Sequence, residues 1–348
     1  MDIRTHLHAG HAIPAQPLAL DANRKFSERH QRAITRYYLA SGVGGLAVGV
    51  HSTQFEIREP QHGLFKPVLE LASRTIDEEL AKNPRPFIKI AGICGRTEQA
   101  LTEAATALGY GYQAGLLSLS AFKQDTEDAM IEHCRRVAKA IPVVGFYLQP
   151  AAGGRLLGYS FWRRFAEIPN VVAIKLAPFN RYQTIDVMRA VAEAGRDDIA
   201  LYTGNDDSIV VDLFTPFTFD AGGKKVTRRI VGGLLGHWGV WTRAAVKLLN
   251  EIKAARQNPQ LDAQWLDTAI AVTDMNAALF DSANKFAGCI PGILEILRRQ
   301  GLVPSINCLN PHEVLSPGQA EELTRVCRAY PHLTDDDFVA ANRDKWLA

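Results

Sequence analysis

Eight short apolar runs, each followed by a segment with helical spacing, constrain this chain more than any other feature. The runs are AIPAQPLAL (12–20), GGLAVGV (44–50), PFIKIAG (86–92), AGLLSLS (114–120), PVVGFY (142–147), VVAIKL (171–176), IALYT (199–203) and RIVGGLL (229–235). Apolar runs of this length without polar alternation are strands covered on both faces. Between them, FSERHQRAITRYYLASG spaces its apolar residues three to four apart and stops at Gly42, a C-cap. TEQALTEAATALG and DTEDAMIEHCRRVAKA read the same way, with Thr97 the N-cap of the first. Strands alternating with helices imply parallel pairing through right-handed crossovers. Eight units in roughly 230 residues fit a closed barrel better than an open doubly wound sheet. The expected class is therefore α/β, a (β/α)8 TIM barrel with a C-terminal helical extension. Residues 1–11 are expected to form a leader, 12–240 the barrel and 241–348 the extension. AGGKKVTRR (221–229) departs from the pattern and is expected to be a solvated loop.

The apolar share of 47% supplies a large core, and the net charge of +2 leaves no concentrated basic face, so no nucleic-acid partner is expected. Five scattered cysteines without a CxxC pair argue against a disulfide framework and for a reducing, cytoplasmic setting. No stretch approaches the ~18 apolar residues of a membrane span, so no membrane partner is expected either. His6, His8 and His11 crowd the N-terminus, where a loosely packed leader is preferred to a metal site; Cys308 and His312 lack a second ligand pair. No metal is expected.

The chemistry starts from Lys175 in NVVAIKLAP (170–178). A lysine inside a buried strand must desolvate its ammonium, which is rarely tolerated without a reason. Either it pairs with a carboxylate, or it enters a cavity where burial lowers its pKa and the neutral amine can attack a ketone to form a Schiff base. The residues alone leave both open. Tyr147 closes the neighbouring run and could relay protons there, or plug the barrel mouth with its hydroxyl on backbone. Barrel active sites lie at the C-terminal strand ends, which adds Val50, His51 and Ser52, Ser118 to Phe122, Asn205 and Asp206, and Gly232, Gly233 and Gly236. Asp206 and Asp207 read most simply as a helix N-cap, and the late glycines as close packing around a substrate.

Taken in order, these segments resemble the dihydrodipicolinate synthase / N-acetylneuraminate lyase family of class I aldolases. FYLQP (146–150) is similar to the family's tyrosine motif, with Tyr147 and Pro150 in matching places. IPNVVAIK (168–175) is similar to its Schiff-base segment and ends on the matching lysine. SGVGGLAVGV (41–50) leads into what looks like its substrate-carboxylate loop, while TGNDD (203–207), GGLLG (232–236) and NKFAGCIPGILEILRRQGLV (284–303) match later elements. The resemblance covers about Ile13 to Val303. It implies a 2-oxo acid such as pyruvate, held by backbone N–H groups around Gly49, Val50, His51 and Ser52 with Gly233 nearby. It implies an imine on Lys175, a proton relay through Tyr147, no cofactor, and a homo-oligomer, dimer or tetramer.

The departures are specific. Val50 and His51 replace the hydroxyl residues of the family's loop, although Ser52 and Thr53 can restore a hydroxyl and His51 can titrate near neutrality. Phe122 stands about where the family places a second tyrosine, and Arg155 comes a few residues later than the arginine that grips a second carboxylate. With Val50, Ala152 and Phe122 in these places, a less polar acceptor region is expected. The expected function is a class I aldolase-type lyase on a pyruvate-like 2-oxo acid, and not the synthase of lysine biosynthesis. A dehydratase of a 2-oxo sugar acid on the same imine chemistry is an alternative; a non-catalytic small-molecule-binding barrel is another.

Overall fold

The computed structural model describes residues 1–150 and 153–348, so the Ala152 expectation lies outside the described residues. Among the described residues nine strands form: β1 (Ala12–Pro14), β2 (Gly45–Val48), β3 (Ile88–Ile93), β4 (Ala114–Leu117), β5 (Val143–Leu148), β6 (Val171–Ala177), β7 (Ala200–Thr203), β8 (Pro216–Ala221) and β9 (Lys224–Leu235). Leaving β8 aside, they fall on the eight apolar runs and alternate with helices. The chain has the expected class, a (β/α)8 barrel with a C-terminal helical part. It divides into two compact units, residues 1–11 with 88–234, and 12–87 with 235–348.

In the first unit, β3, β4, β5, β6, β7 and β9 pair in parallel in that order. Every residue of β3, β5 and β6 is buried, which explains why these runs lack polar alternation. Residues 1–11 carry a helix, Ile3–His8, capped by the Asp2 carboxylate accepting Thr5 N–H at 2.7 Å. Its Arg4 pairs with Asp198 and donates to Pro169 O at 2.7 Å, while Tyr202 Oη donates to Leu7 O at 2.7 Å. Thr97 is the first helical residue of Thr97–Gly109 rather than its cap; Arg96 holds the cap position, and the Thr97 hydroxyl bonds His133 Nδ1 at 2.9 Å instead.

The segment expected to be a solvated loop is a hairpin. β8 pairs antiparallel with the first half of β9, from Pro216 opposite Arg229 to Ala221 opposite Lys224. Gly222 and Gly223 turn it with φ of 64° and 85°, the pair of positive angles that a tight two-residue hairpin needs. The missed signal is the alternation in PFTFDA, which buries Phe217 and exposes Thr218.

In the second unit, β1 and β2 run parallel, with Gln16 N–H donating to Ala47 O at 2.9 Å. The helix Glu28–Ser41 ends at Gly42 with φ of 92°, the expected left-handed C-cap. The C-terminal helices converge on one carboxylate. Asp335 Oδ2 accepts from Tyr37 Oη at 2.7 Å and from Arg243 N–H at 2.9 Å, and Oδ1 accepts from Gln300 Nε2 at 2.9 Å. Burial raises the Asp335 pKa, and these donors offset part of that desolvation.

Candidate active site

Lys175 lies on β6 with only 9% of its surface exposed. In the parallel register, Phe146 of β5 and Tyr202 of β7 stand opposite it. Its Nζ sits 4.5 Å from the centroid of the Phe146 ring. Across from β6, the chain leaves β7 through Gly204, whose N–H donates to Leu176 O at 2.6 Å. The lysine stem is therefore bordered by an aromatic ring and by bare backbone.

Tyr147 stands opposite Leu176, one place beyond the lysine. Successive strand residues point to opposite faces, and β5 shows which face is which. A Cβ on Gly145 would meet Phe165, and the Tyr147 ring lies 5.1 Å from Trp162, both on the helix Tyr159–Ala166. Gly145 and Tyr147 thus face that helix, and Phe146 faces Lys175. The Tyr147 hydroxyl accepts Leu157 N–H at 3.2 Å, and burial raises its pKa. The structure brings Lys175 and Phe146 together; it does not bring the Tyr147 hydroxyl to the lysine side of the strand.

A slip in the ladder is the cause. Val143 pairs with Val171, so an even register would set Tyr147 against Lys175, both 28 residues apart. The register shifts between Val143 and Val144, and Val144 pairs with Ala173. A one-residue slip turns every later partner over.

Beyond β7, Asn205 and Asp212 anchor a buried network. Asp212 Oδ2 accepts from Thr203 Oγ1 at 2.7 Å and from Asn205 Nδ2 at 2.9 Å, while Oδ1 accepts from Arg181 Nη1 at 2.7 Å. Burial raises the Asp212 pKa against the pull of Arg181. Asn205 Oδ1 also receives Phe179 N–H at 3.0 Å, holding that residue at φ 52° just past β6. Asp206 and Asp207 do not cap the following helix; its cap position is Ser208.

After β4, Phe122 is buried 4.4 Å from the His133 ring, with the Arg96 guanidinium 4.6 Å from its own centroid. Arg155 Nη1 donates to Phe122 O at 2.6 Å and to Asp125 O at 2.9 Å, tying the segment after β5 to the loop after β4. Ser118 and Ser120 bond each other at 3.0 Å. Gly233, opposite Thr203, gives its N–H to His11 O at 3.1 Å. The His6 and His11 rings stack with centroids 4.1 Å apart.

In the second unit, the loop after β2 is built around Thr53. Its Oγ1 accepts Gly49 N–H at 3.0 Å and Val50 N–H at 3.2 Å and donates to Gln16 O at 2.6 Å. Ser52 Oγ donates to Ala15 O at 2.9 Å. The hydroxyls anticipated at 52 and 53 therefore fold the loop, and two of its N–H groups are already bonded internally. His51 is half-buried with its ring edge on Phe55 at 5.9 Å, and Arg58 donates to Gly49 O at 3.0 Å while lying 4.6 Å over Phe65. Phe146, Gly204 and the contacts of Arg155 escaped the sequence as site-forming features; Thr53 was anticipated only as a hydroxyl, not as the acceptor that folds its loop.

A (β/α)8 barrel with a buried lysine on its sixth parallel strand is the class that fold and site define. No family model matches the chain. The 4-hydroxy-tetrahydrodipicolinate synthase of Desulforudis audaxviator is 27% identical over 230 residues, 64% of this chain and 71% of that one. Two further curated synthases are matched over only 56% and 57% of their lengths. Among solved structures, dihydrodipicolinate synthase from Oceanobacillus iheyensis superposes with a TM-score of 0.74 at 17% identity, covering 95% of this chain and 99% of that one. CdNal from Clostridium difficile, in complex with mannosamine, gives 0.72 at 14%, covering 92% and 99%. The chain is thus a divergent homologue of curated 4-hydroxy-tetrahydrodipicolinate synthases, and it shares its fold with the solved dihydrodipicolinate synthase and with CdNal. Among the described residues, no helix is long and apolar enough to cross a membrane.

Proposed function

We propose that this protein is a class I aldolase-type lyase that forms a Schiff base between Lys175 and pyruvate or a related 2-oxo acid. The observation that carries the reading is the burial of Lys175 between Phe146 and the bare backbone of Gly204, at a strand end where this barrel class performs chemistry. Keeping a lysine in such a place is costly, and imine formation is a reason to keep it.

In this mechanism the neutral amine adds to the ketone, and loss of water leaves a protonated imine. The imine draws electrons from the adjacent carbon, which loses a proton and becomes an enamine. The enamine carbon bonds to an aldehyde carbon, whose oxygen takes up a proton, and water then releases product and lysine. Cleavage is the same sequence reversed. The resemblance gives the proton relay to Tyr147; in the conformation described its hydroxyl is engaged by Leu157 on the opposite face, so that relay requires the bond to open. The carboxylate position around Gly49, Val50, His51 and Ser52, with Gly233, enters through the resemblance, as do a homo-oligomeric state and independence of metal and cofactor. Five cysteines joined by no disulfide among the described residues support a cytoplasmic setting. The altered loops after β2 and β4 support an activity other than that of the lysine-pathway synthase.

Borohydride reduction in the presence of pyruvate, read by peptide mass spectrometry, tests the proposal. A reduced pyruvyl adduct on the Lys175 peptide, absent in Lys175→Ala, is expected. A folded protein giving no adduct with pyruvate or with larger 2-oxo acids refutes it. The engagement of Tyr147 by Leu157 favours a second reading, a non-catalytic binding barrel, for which a 2-oxo acid would raise Tm without any adduct. Loss of water from a 2-oxo sugar acid without carbon–carbon cleavage would identify the dehydratase alternative.

A further inference from the structure

We infer that Phe146 is the specificity-determining wall of the lysine site, and that the aldehyde partner is a flat apolar molecule carrying no carboxylate. The inference rests on the reading of Lys175 as the imine-forming residue. It is drawn from what the Phe146 ring offers a partner and from how two nearby arginines are held.

The first is the ring itself. Nζ lies 4.5 Å from the Phe146 centroid. The imine carbon is one bond from that nitrogen, the enamine carbon two, and the aldehyde carbon that joins it three. The carbon–carbon bond is therefore made within reach of the Phe146 ring. Phe146 is only 6% exposed and is carried by a strand buried along its whole length, so it cannot swing away cheaply. It offers a flat apolar surface and no hydrogen bond. Its electron-rich face also disfavours an anion, while an aromatic or other apolar aldehyde stacks on it.

The second is the cation that a carboxylate would require. A carboxylate removed from water needs a charged or hydrogen-bonding partner. Arg155, the first arginine after β5, spends Nη1 on Phe122 O and Asp125 O. Arg181, the first after β6, is committed to Asp212 and Ser208. Arg181 is thus held by both Nη groups, and Arg155 by one, to the loops and to Asp212, which leaves neither of these arginines wholly given over to a second carboxylate.

The test compares benzaldehyde with succinic semialdehyde, each with pyruvate, after the pyruvate adduct on Lys175 has been assayed. Expected is the adduct, a kcat/KM at least tenfold higher for benzaldehyde, and a tenfold or greater fall of that preference in Phe146→Ala. Phe146→Leu, a smaller packing change, is expected to retain an intermediate preference. An adduct together with equal or better use of succinic semialdehyde overturns the inference and leaves the Schiff-base reading standing. So does an adduct with neither aldehyde accepted, or a preference unchanged in both variants. Absence of the adduct overturns both.

Discussion

A Cβ placed on Gly204 would lie 2.7 Å from Cε of Lys175 and 2.9 Å from Cβ of Ala177. The end of β7 thus runs flush against the lysine stem, and only a residue without a side chain fits there. Gly204→Ala must push the stem or the strand aside, an overpacking that costs about 1–3 kcal/mol. A lower Tm and at least tenfold slower pyruvate trapping on Lys175 are the expected results. Trapping at the wild-type rate would show that the stem is not confined.

Tyr147→Phe separates the two roles open to the hydroxyl. Removing the acceptor strands the Leu157 N–H and should cost about 1–3 kcal/mol in urea unfolding. If the hydroxyl stays on the helix side, imine formation keeps its rate. If it relays protons, turnover falls by about 10²–10⁴. Single-turnover trapping beside an unfolding curve distinguishes these.

His237 should make stability depend on acid. Burial holds its pKa at about 4 against an ordinary 6.5, with a bond to Asn276 opposing weakly. The folded imidazole is neutral while the unfolded one binds a proton between those values, so stability is lost as pH falls from 6.5 towards 4. The loss is at most roughly 3 kcal/mol. Urea midpoints from pH 7 to pH 4.5 should decline less steeply in His237→Gln than in the wild type. Parallel slopes would assign the acid sensitivity to other groups.

Arg181→Ala leaves the Asp212 carboxylate buried without its cation. Breaking such a pair costs about 3–5 kcal/mol when both partners are buried, and the lower end applies because Arg181 is partly exposed. Arg181→Ala with Asp212→Asn should recover part of the loss, since the amide needs no counter-charge. No recovery in the double variant would mean that Arg181 acts through packing.

The strands were legible because burial on both faces demands continuous apolar runs, and each parallel barrel strand falls on one. The hairpin was not, because its basic residues hide a two-residue alternation that is stable only when Phe217 finds a core to enter. Lys175 was legible as a polar residue where none belongs. The loop after β2 was half legible: Thr53 was seen as a possible hydroxyl, but that it would accept the N–H groups of Gly49 and Val50 depends on where Gln16 lies, far away in sequence.

Sequence by itself determined the barrel class, the strand positions and the buried lysine, since each follows from local periodicity and the cost of desolvation. Which aromatic residue meets that lysine was decided only by the tertiary structure. Phe146 and Tyr147 are adjacent, both large, and lie in a strand buried on both faces, so neither composition nor alternation assigns them a side. The slip at Val143 and Val144, with Phe165 packed over Gly145 and Trp162 beside Tyr147, makes the choice. Register is a property of two strands and the helix that covers them, and no single run of residues contains it.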